Sequence, residues 1–158
     1  MNHHIDVQNA CHTPLPFTEQ QLKIWALKAL TPVIKPSELT LRFVDAEEMQ
    51  TLNHQYRHQN KTTNVLSFPA RLPEHVILDI AFIGDVIICP EVLLQEAAQN
   101  HQPLINHWAH IIIHGILHLL GYDHIKPEDE CIMQQLEIDL LQQLGFDNPY
   151  LTKEDERA

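Results

Sequence analysis

"HGILHLLGYDH" (114–124) decides how the rest of this chain is read, because it places three histidines and a glycine in eleven positions at the end of an apolar, helix-like run. His114 and His118 are four residues apart, so on a helix their imidazoles stack on one face, near enough to share one ion. Gly121 lets the chain leave the helix with positive φ, after which His124 can return toward the same ion. Three neutral nitrogen ligands with a fourth position open is the arrangement of a catalytic zinc site, whereas structural sites are usually closed by four protein ligands, often cysteines. Twelve histidines make a high background. At that composition, however, the His-x3-His-x2-Gly-x2-His spacing arises by chance only about 0.002 times in a chain of this length. His107 and His110 fall on the same helical face. A helix-only trio at i, i+4 and i+8 nevertheless covers about 12 Å of rise, too far for ligands that must each approach an ion to about 2.0–2.1 Å. His110 therefore reads as a group supporting a ligand from behind, or as a satisfied interior polar side chain.

Outward from this stretch, "PLINHWAHIIIHGILHLLG" predicts one long helix, and "PEDECIMQQLEIDLLQQLG" predicts another with Ile132, Met133, Leu136, Leu140, Leu141 and Leu144 as its buried stripe and Gly145 as its stop. Upstream, Pro90 at a first helical position opens "PEVLLQEAAQN". "ILDIAFIGDVIICP" is β-rich and broken by Gly84, and "VLSFP", "LTLRFV" (39–44) and "IDVQNA" read as shorter strands. Thr18 and Gln21 form a capping-box pattern ahead of Leu22, Trp25, Ala26, Ala29 and Leu30, and Asp45 is placed to cap a short helix holding Met49 and Leu52. The polar run "NHQYRHQNKTTN" follows it. This order predicts an α+β domain over residues 1–150, with a small mixed sheet packed against several helices, and a flexible acidic tail over 151–158.

Composition narrows the function. A chain of 158 residues with 44% hydrophobic content is enough for one self-sufficient core. The longest uncharged apolar run is too short to span a bilayer, and the N-terminus lacks a signal layout, so a cytoplasmic location with no membrane partner is expected. Cys11, Cys89 and Cys131 have no CxxC spacing, which argues against disulfides and against a cysteine zinc site, and they read as reduced and mostly buried. A formal charge of −11 argues against general nucleic-acid binding, so any such role requires a local cationic groove.

The histidine spacing is also that of the metzincin proteases, whose second motif residue is the glutamate that activates water. Here that position is Gly115, which has no side chain to move a proton and costs about 0.5–1 kcal/mol in a helix interior. Its presence signals close backbone packing or room for a substrate.

With these residues in view, the sequence resembles the YbeY family of bacterial single-strand endoribonucleases. "HGILHLLGYDH" matches that family's signature without a gap, and "YRHQNKTTNVLSFP" (56–69) and "GDVIICP" (84–90) agree in order and separation, so the likeness spans about residues 40 to 145. The resemblance implies a compact zincin-like domain with one zinc on His114, His118 and His124, and it carries the family's functional arginine onto Arg57. It further implies action on single-stranded ribosomal RNA in maturation of the 16S rRNA 3′ end and in ribosome quality control. The implied partners are a small-subunit ribosomal protein and the GTPase Era.

The chemistry of the residues agrees. A zinc with an open position can polarise a phosphoryl oxygen or lower the pKa of its water to about 7, and Arg57 and His114 are the expected catalytic groups, the guanidinium fork suiting phosphate. Lys61 and Arg71 can extend a cationic strip, while Tyr56 and Phe68 can stack unpaired bases. Asp79, Asp85, Asp123 and His110 are candidates for accepting a ligand imidazole's N–H and orienting it. Two other readings stay open: a metal-dependent hydrolase of another small substrate, and a non-catalytic ribosome assembly factor with a structural zinc.

Overall fold

Punctuation in the sequence sets the order of elements. The computed structural model describes residues 3–70, 80–123 and 125–151. Within them run β1 (His4–Asn9), α1 (Glu19–Ala29), β2 (Ser37–Phe43), α2 (Ala46–Arg57), β3 (Val65–Pro69), β4 (Ala81–Ile88), α3 (Pro90–Gln99), α4 (Leu104–Leu119) and α5 (Pro127–Gln143). The result is the α+β architecture expected. Its mixed sheet has strand order β1-β2-β4-β3, with β1, β2 and β4 parallel and β3 antiparallel to β4. Arg71, Asp79, His124 and the tail from residue 152 lie outside the described residues.

Side chains alternate along β2, so Leu39, Leu41 and Phe43 are buried while Glu38, Thr40 and Arg42 face the other way. The buried set joins a core with Leu22 and Trp25 of α1 and with Trp108 and Ile112 of α4. Phe43 stacks on Trp108 at 5.3 Å between ring centroids. A smaller cluster, Val44, Met49, Leu66, Ile87 and Cys89, packs α2 against the opposite face. The sheet is irregular beside Gly84: Glu38 pairs with Phe82 but Leu39 pairs with Gly84, leaving Ile83 as the extra residue of a bulge. Gly84 has φ of 140°, and a Cβ there would lie 2.3 Å from the Phe68 carbonyl oxygen, so only glycine fits.

α1 begins as its sequence predicts. Thr18 Oγ1 accepts from Gln21 N at 3.1 Å and Gln21 Oε1 accepts from Thr18 N at 3.0 Å, two orphan donors satisfied reciprocally. Three local expectations are corrected. Asp45 precedes α2 but makes no side-chain cap bond, because its Oδ2 accepts from His12 N at 3.2 Å. α2 runs on to Arg57 through the polar run and ends at His58, a left-handed residue with φ of 58°. In α5, Ile132 is exposed, Leu136 and Leu144 are half-buried, and a stripe position is taken by the fully buried Glu137. Of the three cysteines only Cys89 is buried. No helix among the described residues is long and apolar enough to cross a membrane.

α4 packs against β3 and β4. Ile111, Ile112, Ile113, Ile116 and Leu117 are all buried. Gly115 faces the sheet so closely that a Cβ would come within 2.7 Å of Val86 Cγ1 and 3.0 Å of Val65 Cγ2. Close packing is the reason for glycine here.

Candidate metal centre and cleft

One helical turn separates His114 and His118, and their Nε2 atoms face each other at 3.1 Å. The opposite ring nitrogens are both engaged. His118 Nδ1 donates to the Tyr122 carbonyl at 2.9 Å, and His114 Nδ1 donates to Glu137 Oε1. The first contact depends on the turn after α4, where Gly121 takes φ of 102° and Tyr122 N returns to the Leu117 carbonyl at 3.1 Å. A carbonyl and a carboxylate only accept, so each Nδ1 carries its ring's proton and each Nε2 presents a lone pair. Two ring nitrogens facing each other at 3.1 Å can share a proton or a metal ion between them. Tetrahedral ligands at 2.0–2.1 Å from one ion stand roughly 3.3 Å apart, close to what these nitrogens show.

Behind His114 lies the residue that sequence reasoning missed. Glu137 is 0% exposed. Its Oε1 takes the His114 proton, while Oε2 accepts from the Tyr150 hydroxyl and from His110 Nε2 at 3.4 Å. Burial by itself would raise this carboxyl, but the hydrogen bonds from His110 and His114 outweigh it and hold the pKa down to about 2. The Tyr150 hydroxyl is pushed far up by burial and by the carboxylate it bonds. His110, His114 and Glu137 together form a group whose ligand atoms lie within 4.8 Å of one another, so a metal could be held here as well. The signal in the sequence was an acid at a stripe position: Glu137 stands four after Met133 and three before Leu140, where a carboxylate needs a partner.

On the other side of His114 a cleft of about 700 Å³ opens between α4 and β3, lined by Arg57, Asn64, Ser67, His118, Tyr122 and Asp123 among others. Arg57, the last residue of α2, donates from Nη2 to the Ser67 carbonyl at 3.0 Å and lies over the Phe68 ring at 5.6 Å. Ser67 in turn donates from Oγ to the Gly115 carbonyl at 2.8 Å, so one residue of β3 ties the arginine to the histidine helix. The loop after α2 is held by buried Asn53, whose Nδ2 donates to the Lys61 carbonyl at 2.9 Å.

The remaining candidates are distributed unevenly. Asp123 lines the cleft, and its Oδ1 accepts from Ile125 N at 3.1 Å as a turn residue. Asp85 is elsewhere: its neighbour Val86 meets Gly115, so Asp85 points to the opposite face of the sheet, into a groove with Thr40, Arg42, Tyr56 and Phe68. Strand alternation makes that separation unavoidable. Tyr56 is exposed and packs edge-on against Phe68 at 5.2 Å. Lys61 is exposed and does not line the cleft. His107, buried, pairs with Glu96 at 2.9 Å while its ring meets that of His110 edge-on at 6.3 Å.

A paired set of helix-borne imidazoles, oriented from behind and opening onto a cleft with an arginine, gives this α+β domain the kind of site that could hold a metal ion for hydrolysis. Comparison with known proteins narrows the class: the family model described as Endoribonuclease YbeY matches residues 6–145, and the chain belongs to that family. The protein named Endoribonuclease YbeY of Legionella pneumophila (strain Philadelphia 1) is 53% identical over 156 residues, covering 99% of each chain. That of Colwellia psychrerythraea is 47% identical, covering 96% of this chain and 99% of the relative. Among solved structures, TM1509 from Thermotoga maritima superposes with a TM-score of 0.57 at 22% identity, covering 93% of this chain and 99% of its own, a likeness of fold.

Proposed function

We propose that this protein is a zinc-dependent, single-strand-specific endoribonuclease acting in ribosomal RNA maturation, with His114, His118 and His124 as metal ligands. The observation that carries the reading is the approach of the two Nε2 atoms to 3.1 Å at a cleft that also holds Arg57. When bound there, zinc supplies Lewis acidity toward a phosphoryl oxygen and a lowered pKa for water. The chain's own residues do the rest. The Ser67 carbonyl takes one of the five N–H donors of Arg57 and fixes the guanidinium at the cleft, where its fork meets the phosphate whose charge grows during cleavage. Tyr56, Lys61 and Arg71 contact the flanking RNA, and Asp123 and His110 support the metal site.

A charge of −11 makes broad affinity for naked RNA weak and favours delivery by a basic protein partner. A small-subunit ribosomal protein, and Era as a further assembly partner, fit that role in the cytoplasm.

The test is cleavage of a single-stranded ribosomal RNA fragment by purified protein beside chelator-treated, zinc-restored, His114→Ala and Arg57→Ala samples prepared identically. Cleavage is expected to vanish with chelator, return with zinc and be lost in both folded variants. Equal cleavage in all samples would overturn the reading.

A further inference from the structure

We infer that Glu137, clasped by Tyr150, is a positioning residue that sets which nitrogen of His114 faces the metal and how basic that nitrogen is. The inference rests on the metal reading above and adds to it a part for a segment, α5 and the chain after it, outside the histidine motif.

A fully buried carboxylate is tolerated only when its oxygens are satisfied, and Glu137 meets that demand with the His114 ring, the Tyr150 hydroxyl and His110. Oε1 takes the Nδ1 proton of His114, which leaves Nε2 as the lone-pair nitrogen directed at His118. A neutral acceptor would fix the same tautomer, and the Tyr122 carbonyl does so for His118. A carboxylate does more: its negative charge, held on a fully buried side chain, draws on the Nδ1 proton and raises the basicity of Nε2. The pair is therefore asymmetric, with His114 the stronger donor to the ion. Tyr150 locks the arrangement by holding Oε2, so that the carboxylate cannot rotate away from the imidazole.

The same geometry separates two placements of the ion. In the group His110, His114 and Glu137 the carboxylate would itself be a ligand. Its Oε1 is already in contact with a ring N–H, and its surroundings form a pocket of about 250 Å³ against about 700 Å³ on the Nε2 side. The cleft side has the room and the facing lone pairs.

Zinc affinity is measured by chelator competition on wild type, Glu137→Gln and Tyr150→Phe, with cobalt(II) absorption as a spectroscopic readout of ligand geometry. Wild type binds one zinc, and Glu137→Gln weakens it by about 10–100-fold, the usual effect of losing such a partner, while keeping the cobalt absorption of the same ligand set. Zinc affinity in Glu137→Gln within twofold of wild type overturns the positioning role. A folded Glu137→Gln protein that binds no zinc, with altered cobalt absorption, overturns it in favour of direct ligation. Absence of zinc binding by wild type itself removes the metal reading beneath it. A measurement without mutation covers a Glu137→Gln protein that fails to fold. In cadmium-113-loaded, nitrogen-15-labelled wild type, His114 should couple to the metal through Nε2 and retain a slowly exchanging Nδ1 proton. Coupling through Nδ1 overturns the proposal.

Discussion

Replacing Gly115 by alanine sets two effects of known size against each other. In an open helix interior the change stabilises by about 0.5–1 kcal/mol, because glycine has more backbone freedom to lose on folding. Here the new methyl would lie 2.7 Å from Val86 Cγ1 and 3.0 Å from Val65 Cγ2. Val86 is 0% exposed, and both valines are β-branched and stiff, so neither yields cheaply. Overpacking of this kind costs about 1–3 kcal/mol. The expected net is a loss near 1 kcal/mol, or about 2–4 °C in melting temperature for a chain of this length. Urea unfolding of chelator-treated protein, with an unchanged m-value, measures it. A variant stabilised by about 0.5 kcal/mol or more would refute the claim that glycine is required here by packing. A functional consequence accompanies the structural one. The added methyl pushes α4 away from β3, whose Ser67 bonds both the Gly115 carbonyl and Arg57. Displacement by a fraction of an ångström should then reduce RNA cleavage by about tenfold or more while zinc affinity stays near wild type.

Further outcomes can be checked with the same preparations. Arg57→Lys should cleave almost as poorly as Arg57→Ala in single-turnover assays, since an ammonium cannot both hold the Ser67 carbonyl and present a planar fork to phosphate. Saturating wild type with zinc at 100 times its dissociation constant should raise unfolding stability by about 2.7 kcal/mol over chelated protein, read by thermal or urea unfolding. Thr18→Ala should cost about 1 kcal/mol through loss of the capping box, with cleavage unchanged. Glu137, lowered in the fold from 4.5 to about 2, contributes stability that is fully present above its unfolded value and lost as pH falls through that lower value. Glu137→Gln should flatten the acid limb of the stability profile of chelated protein over that window, and an unchanged limb would remove the carboxylate from the account.

The histidine motif was legible in one dimension because its geometry is local. Four residues on a helix put His114 and His118 on one face, Gly121 supplies the left-handed exit, and the Thr18–Gln21 box closes within a single turn. Those arrangements depend on spacing within the segment itself. Strand alternation was equally local, which is why β2 buries the residues its pattern indicates. Arg57 was visible as a residue type and a resemblance, but its post at the end of a helix, against Ser67, was not.

What tertiary structure alone decided is which distant groups complete each local arrangement. Glu137 stands 23 positions from His114 and its stripe position reads as core; only the packing of α5 on α4 turns it from a misplaced charge into the acceptor for the His114 ring N–H. Asp85 looked equivalent to Asp123, yet the register of β4 sends it to the face of the sheet away from the histidines. Sequence by itself determined the helical histidine pair and the turn that follows, since hydrogen bonds within a few residues enforce them. The partners that orient those histidines, and the arginine's reach into the same cleft, come from burial of α4 between sheet and helices, a long-range effect that local periodicity does not encode.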